Sequence, residues 1–174
     1  MQNFIITFLL FLFSLLVSAQ ETTEKFNIVK GTIGLGGSIG INTNSAESNS
    51  YEGKGFGFGI SPEAGYFLSD NLSLGVMLGF NYYSSENTRS NELQESTSST
   101  FTIEPYLQKF FSVSKSLALS LTGSVYYSRN WYEYQNTNCL NCSNTDRNNY
   151  GIAIRPGLSY LLSEKFSLDA DIGA

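Results

Sequence analysis

Five charged side chains are the candidates in this chain for acid–base catalysis or for an ion-pair network. They are Glu63, Glu104, Arg155, Asp169 and Asp171. Paired carboxylates serve as acid and base in glycoside hydrolysis, but for that they would have to face a substrate cleft, which the filled interior of a small barrel does not offer. The chain also has no His. This absence removes Ser-His-Asp and Cys-His activation of a nucleophile, and zinc sites with His ligands. We therefore predict a protein that is not an enzyme and that has no catalytic residue, cofactor or metal site.

Two cysteines, Cys139 and Cys142, lie in a long polar stretch of the chain. A Cys-x-x-Cys pair serves redox chemistry when it follows a βαβ pattern, and it binds zinc when His or a second pair completes the ligands. The sequence offers neither context. In an exported protein we predict a disulfide that closes a small loop; a free dithiol and a weak metal site are the alternatives.

The composition limits the partners that the chain can have. Charged residues make up 14% of the 174 residues, aromatic residues make up another 14%, and the net charge is −5. Ordinary globular domains have about 25% charged residues, so something other than charge must cover this surface. The acidic balance also argues against nucleic acid, because binding it requires Lys and Arg to neutralise phosphates.

Residues 1–19 predict a cleaved signal peptide. The run Phe4–Val17 is apolar but too short to span a membrane as a helix. It is followed by Ser18 and Ala19, small residues of the kind that signal peptidase reads, although the leader contains no Lys or Arg. We predict export, with residues 20–174 forming a single domain.

Seven segments after residue 20 alternate apolar and polar residues with a period of two, which is the pattern of β-strands. They are Ile33–Ile41, Gly55–Leu68, Leu72–Tyr83, Phe101–Phe111, Leu117–Tyr127, Tyr150–Leu162 and Phe166–Ala174. Most are longer than the usual strand of about five or six residues. Their length suits tilted strands that cross a membrane.

A short repeat joins three of these segments to the strands that follow them. Each copy begins Ile-x-Pro, at Pro62, Pro105 and Pro156, and a Ser follows each Pro by seven residues. Each copy predicts two strands joined by a tight turn, and longer stretches rich in Asn, Ser and Thr separate the copies. Such alternation of short turns and long loops is typical of outer-membrane barrels. Because Pro has no N–H to donate, each copy also predicts a local weakness in strand pairing.

The positions of the charged residues along the strands indicate which face meets lipid. A Lys or Arg in the middle of a lipid-facing strand costs about 2–4 kcal/mol. The five charges named above all lie on the parity opposite the apolar residues, which favours an apolar face toward lipid and a polar face inward. Lys109 and Arg129 share the apolar parity, but both lie near strand ends, where long cationic side chains reach water.

The inward charges predict an ion-pair network. The interior of a small barrel is just wide enough for side chains to fill it, and an unpaired charge there is expensive. Glu104 and Arg155 each lie one residue from the Pro of a repeat, on neighbouring even-numbered strands. We predict that the network centres on these two residues; the alternative is a set of separately solvated charges.

Aromatic residues gather toward the ends of the strands. Tyr and Trp favour the headgroup level of a bilayer, so we predict a girdle at each edge of the apolar band. Its members are predicted to include Tyr66, Phe80, Tyr82, Phe111, Tyr127 and Trp131. A soluble barrel with an aromatic core would give the same alternation and is the alternative.

With these features the chain resembles the small outer-membrane β-barrel family of the OmpX/OmpA type, often described as porin-family or outer-membrane barrel-domain proteins. The resemblance rests on the repeated Ile-x-Pro strand, first seen in the copy that ends YFLSDNLSLG, on the signal peptide and on the alternating loop lengths; it covers Phe26–Ala174. It implies an all-β, up-and-down antiparallel transmembrane β-barrel of eight strands, of which seven are present. We therefore expect a further loop and an eighth strand beyond Ala174.

The resemblance also sets the expected function. We expect a monomer in the outer membrane of a Gram-negative bacterium, in contact with the lipid bilayer and its lipopolysaccharide leaflet. Its role would be in envelope structure or in surface interactions, with a possible partner at the long extracellular loops. A small-solute porin and a secreted lipocalin-like ligand binder are the alternatives.

Overall fold

The computed structural model describes residues 25–48, 51–89, 92–136 and 144–172, which form one antiparallel sheet. Its strands are β1 (Ile33–Ser48), β2 (Tyr51–Ser69), β3 (Leu72–Arg89), β4 (Glu92–Ser112), β5 (Leu117–Asn136), β6 (Asn144–Ser163) and β7 (Phe166–Asp171). Strands that are consecutive in the chain are neighbours in the sheet, in the order β1 to β7. The predicted all-β, up-and-down fold is confirmed, and the seven strands curve into a half-barrel. Among the described residues there is no helix long and apolar enough to cross a membrane.

The short connections lie where the sequence predicts them. β2 joins β3 through a tight turn in which Asn71 has a φ of 60°, a left-handed conformation that Asn tolerates better than most residues. β4 joins β5 across residues 113–116, and β6 joins β7 across residues 164–165. These three turns lie at the same end of the sheet, called the short-turn end below.

The opposite end, called the hairpin end, differs from the prediction. Residues 42–54, 84–99 and 131–149 were expected to be loops, but much of each range continues the strands. The ladder between β3 and β4 runs on to the pair Arg89 and Glu92. Apolar alternation stops where contact with lipid stops, whereas main-chain pairing does not depend on the side chains. The sequence signal therefore ended several residues before the strands did.

The two faces of the curved sheet differ in the predicted way. Large apolar side chains on the convex face remain 37–82% exposed, as at Val76 and Leu35. The concave face, called the lumen below, buries small polar residues such as Ser120 and Thr122. A protein that turns its apolar side chains outward and its polar side chains inward has the reverse of a soluble core.

The three repeat prolines all lie on the convex face and weaken the ladder on one side. Pro62 pairs with β1 and Pro105 pairs with β3, but the pairing of each toward the following strand is interrupted. Pro156 pairs with Leu121 on β5, and its carbonyl accepts a hydrogen bond from the Ile172 N–H at 2.8 Å. Each Pro thus turns its missing N–H toward the next strand, because an antiparallel residue directs N–H and C=O to the same neighbour.

Candidate functional site

The middle of the lumen holds an ion pair between neighbouring even-numbered strands. Arg155 Nη2 on β6 lies 2.6 Å from Glu104 Oε1 on β4. The Glu104 side chain is 6% exposed and that of Arg155 is 22% exposed. A pair this well buried acts as a unit, because removal of one partner leaves an uncompensated charge.

The intervening strand, β5, is what allows this pair to form. Its inward positions at this level are the small residues Ser120, Thr122 and Ser124, which are all buried. Arg155 pairs in register with Thr122. Larger side chains there would fill the space that the Arg and Glu side chains cross, so the small residues of β5 let its two neighbours meet.

The other three predicted lumen charges do not enter this direct contact. Glu63 on β2 interacts electrostatically with Asp169 and Asp171 on β7, and with Arg155 and Glu104. Since β2 and β7 are separated by four strands in the sheet, this interaction reflects the curvature that turns both toward one lumen. Asp169 and Asp171 are exposed, and Asp169 accepts a hydrogen bond from the Ser167 hydroxyl at 3.0 Å.

Tyr106 fills the lumen next to the ion pair, toward the short-turn end. Its side chain is buried and lies over Gly75 of β3, where an added Cβ would come within 2.5 Å of Tyr106 Cζ. An added Cβ at Gly65 of β2 would lie 3.0 Å from the Tyr106 hydroxyl. The glycines on the inward face thus make room for a large neighbour. The sequence alternation alone did not show which neighbour that would be.

A second buried cluster closes the short-turn end of the lumen, and its central residue was not among the predicted site residues. Phe26, only 1% exposed, packs with Phe67, Phe110 and Ala118. The Phe26 and Phe110 rings stack with centroids 5.6 Å apart, and the Phe67 and Phe110 rings stack at 6.0 Å. Phe67 and Phe110 lie beside the short turns, and both point into the lumen.

The segment that carries Phe26 is held by main-chain hydrogen bonds to the turns. The Phe26 N–H donates to Ser114 O at 2.9 Å, and the Asn71 N–H donates to Ile28 O at 2.9 Å. In return, the Ile28 N–H donates to Asn71 Oδ1 at 2.7 Å. The Gly31 N–H donates to Phe67 O at 2.9 Å. The segment Phe26–Gly31, called the strap below, therefore crosses two turns before β1 begins.

The predicted girdle residues all lie on the convex face. Tyr66 and Phe111 lie toward the short-turn end, and the others lie toward the hairpin end: Phe80, Tyr82, Tyr127 and Trp131. Phe58, absent from the prediction, contacts both Tyr82 and Phe80 with ring centroids 5.7 and 6.0 Å apart. Tyr150 was also missed and lies 5.1 Å from Tyr127, ring to ring. Phe58 lies opposite Tyr82 in the strand register, and Tyr127 lies opposite Tyr150. The register would have indicated these two pairs, but it cannot be read from one sequence.

Lys109 and Arg129, which the sequence places on the apolar parity, both reach polar partners. Lys109 Nζ donates to the Asp70 carbonyl at 3.1 Å, at the short-turn end. Arg129 Nη2 lies 2.7 Å from Asp146 Oδ2 and its guanidinium carbon lies 5.2 Å from the centre of the Trp131 ring. Neither cation is left facing the apolar band.

The outward face of the hairpin end carries an exposed acidic patch. Lys54 Nζ lies 2.7 Å from Glu52 Oε1, and Lys54 also interacts with Glu86 and Glu47. The Lys54 ammonium holds the pKa of Glu52 below its ordinary value, and Glu52 raises the pKa of Lys54. Glu95 pairs in register with Glu86, so carboxylates outnumber cations at this surface. Cys139 and Cys142 lie outside the described residues, so their predicted disulfide stays a prediction.

The family to which the chain belongs follows from these features together with a direct comparison. The model of the outer membrane protein beta-barrel domain matches residues 7–174. The chain is therefore a member of that family, and the protein is an outer-membrane β-barrel that associates with the bilayer. No curated protein and no solved structure matches the chain significantly.

Proposed function

We propose that this protein is a non-enzymatic outer-membrane barrel whose rigid hairpins contact a partner or the environment outside the cell. The observation that carries the proposal is the strand length. β2 has 19 residues, which at about 3.3 Å per residue span about 60 Å, or about 45 Å along the membrane normal at a tilt of about 40°. The apolar band of such barrels is about 25 Å tall, so a large part of each hairpin stands clear of it.

The chemistry of the hairpin end fits contact with a polar partner. Its strands are rich in Ser, Thr and Asn, and its outward face between β1 and β4 carries Glu47, Glu52, Glu86 and Glu95 around Lys54. Opposite potentials favour association and steer it. A basic partner surface suits this patch, and the interaction should weaken as salt screens the charges.

The proposal includes an orientation of the barrel in the outer membrane. A cleaved signal peptide exports the chain, the short-turn end faces the periplasm, and the hairpin end stands on the lipopolysaccharide side. A monomer suffices for this arrangement, because the convex face is covered by lipid. The Glu104–Arg155 pair in the lumen supports a structural or surface role over a small-solute porin, since it fills the space that a solute would use.

A trimmed hairpin tests the role. Residues 86–95 are replaced by Asn-Gly, which joins the register partners Ser85 and Ser96 by a favoured two-residue hairpin turn. We expect the barrel to assemble normally, as heat-modifiable migration in detergent gels would show. Cells that display the trimmed protein should adhere less to glass and to matrix-coated glass than cells that display the full chain. Equal adhesion by both would contradict a role for this hairpin.

Surface proteolysis tests the orientation separately. Trypsin added to intact cells should cleave at the hairpin end, for example after Arg147. An Arg147→Gln variant is the matched control, because its fragment pattern should lack that product. Cleavage at the hairpin end that requires a breached outer membrane would reverse the proposed orientation.

A further inference from the structure

We propose that the strap Phe26–Gly31 is a stopper that closes the periplasmic mouth of the lumen. The proposal rests on the proposed function only for the orientation of the short-turn end. The closure itself is a property of the fold and goes beyond a surface role. It adds a second, apolar barrier across the lumen, below the Glu104–Arg155 pair.

The position of Phe26 places it inside the mouth. Phe67 of β2, Phe110 of β4 and Ala118 of β5 all point into the lumen, and each contributes to the cluster around Phe26. Leu161 of β6 packs against the same cluster. Phe26 therefore belongs to a cluster of inward residues from four strands of a curved sheet, and it lies across the opening that these strands frame.

The fit of the ring depends on one small residue. Ala118 is completely buried, whereas the next inward residue of β5, Ser120, is 4% exposed. A larger side chain at position 118 would occupy the space beside the Phe26 ring. Ala118 is therefore the residue whose enlargement should expel the stopper without any change in the strap itself.

Hydrogen bonds to both turns that it crosses hold the strap in place. Asn71, at the β2–β3 turn, bonds the strap through its N–H and its side-chain oxygen, and the Lys30 N–H donates to Asp70 Oδ1 at 2.9 Å. Ser114, at the β4–β5 turn, accepts from the Phe26 N–H. The side chain of Asn71 also donates to the Phe26 carbonyl at 3.4 Å. These bonds fix the strap on either side of the mouth and hold the ring between them.

Together, the stopper and the ion pair form two barriers in series. The Phe26 cluster is apolar and excludes water and ions at the mouth, while the Glu104–Arg155 pair fills the middle of the lumen. Opening either barrier alone leaves the other in place. Permeation should therefore require both to be removed.

Thiol labelling tests whether Phe26 is enclosed. In a chain with Cys139→Ser and Cys142→Ser, single cysteines are introduced as Phe26→Cys and, in matched exposed controls on the same segment, as Lys25→Cys and Asn27→Cys. A polar maleimide admitted to the periplasmic side should label position 26 at least ten times more slowly than positions 25 and 27. Adding Ala118→Phe should remove this protection. Equal labelling of the three positions would overturn the proposal.

Conductance tests the two barriers and does not depend on any surface partner. The full chain is reconstituted in planar bilayers as the wild type, Phe26→Ala, Glu104→Ala/Arg155→Ala and the triple variant. Each protein is first checked for heat-modifiable migration. The triple variant should conduct at least ten times more than the double variant, and Phe26→Ala alone should stay near the wild type. Equal conductance of the double and triple variants would show that the strap is no barrier, whatever the hairpins do.

Discussion

The two ends of the barrel differ in how far their polar groups are exposed to water. At the short-turn end and in the lumen, polar and aromatic groups are largely enclosed: the Glu104 side chain that meets Arg155 is only 6% exposed, and Phe26 is buried among inward aromatics. At the hairpin end, the Arg129–Asp146 and Lys54–Glu52 pairs stand in solvent. The same kinds of contact therefore carry very different energies, because water weakens the exposed ones and not the enclosed ones.

The largest difference is expected between the two Arg–carboxylate pairs. Glu104→Ala removes the direct partner of Arg155, which then keeps only the weaker attraction of Glu63 and Asp171, and should lower the free energy of unfolding by about 3 kcal/mol. Asp146→Ala, which breaks the exposed pair with Arg129, should lower it by at most about 1 kcal/mol. Guanidinium titration of both variants in lipid vesicles measures the difference. Similar losses in the two would mean that the lumen is as wet as the surface.

The second comparison is within the strap. Phe26→Ala removes a buried ring and should cost about 3 kcal/mol, while Val29→Ala, at a side chain that is 57% exposed, should cost about 0.5 kcal/mol or less. The same titration applies to both. A small effect of Phe26→Ala would show that the strap adds little to the stability of the short-turn end.

The third comparison locates the edge of the bilayer along one strand. Leu78→Arg places a charge on the lipid-facing side of β3 and should cost about 2 kcal/mol or more. Thr88→Arg has the same parity, ten residues closer to the hairpin end, and should change the free energy of unfolding by about 0.5 kcal/mol or less. Equal costs at the two positions would place the hairpins within the apolar band.

The smallest expected effect on stability comes from the exposed ion pair between Glu52 and Lys54. Because Lys54 lowers the pKa of Glu52 in the folded protein, the contribution of Glu52 to stability is present at neutral pH. This contribution is lost as the pH falls below about 4.3, which is the pKa of Glu in the unfolded chain. Lys54→Gln should raise the pKa of Glu52 toward that value, as an NMR titration of the carboxyl carbon would show. An unchanged pKa would indicate that the pair does not persist in solution.

The fold was predictable because its main signal is local. A strand that divides lipid from lumen must alternate, so Gly55–Leu68 is recognisable as a strand from its own residues. The same alternation placed Glu104 and Arg155 on the inward side. It could not indicate that β2 starts at Tyr51, because a strand with polar residues on both faces leaves no hydropathy pattern.

Alternation and turn residues thus predicted the parity of each strand, the order of the strands and the positions of the short turns. They also predicted that Glu104 and Arg155 lie near each other, but the contacts among inward side chains depend on the tertiary structure. Glu104 reaches Arg155 through the register and curvature of β4, β5 and β6, and Phe26 reaches Phe110 although 83 residues separate them in the chain. Alternation is a property of neighbouring residues, whereas curvature and register are properties of the whole sheet, and contacts across a lumen depend on both.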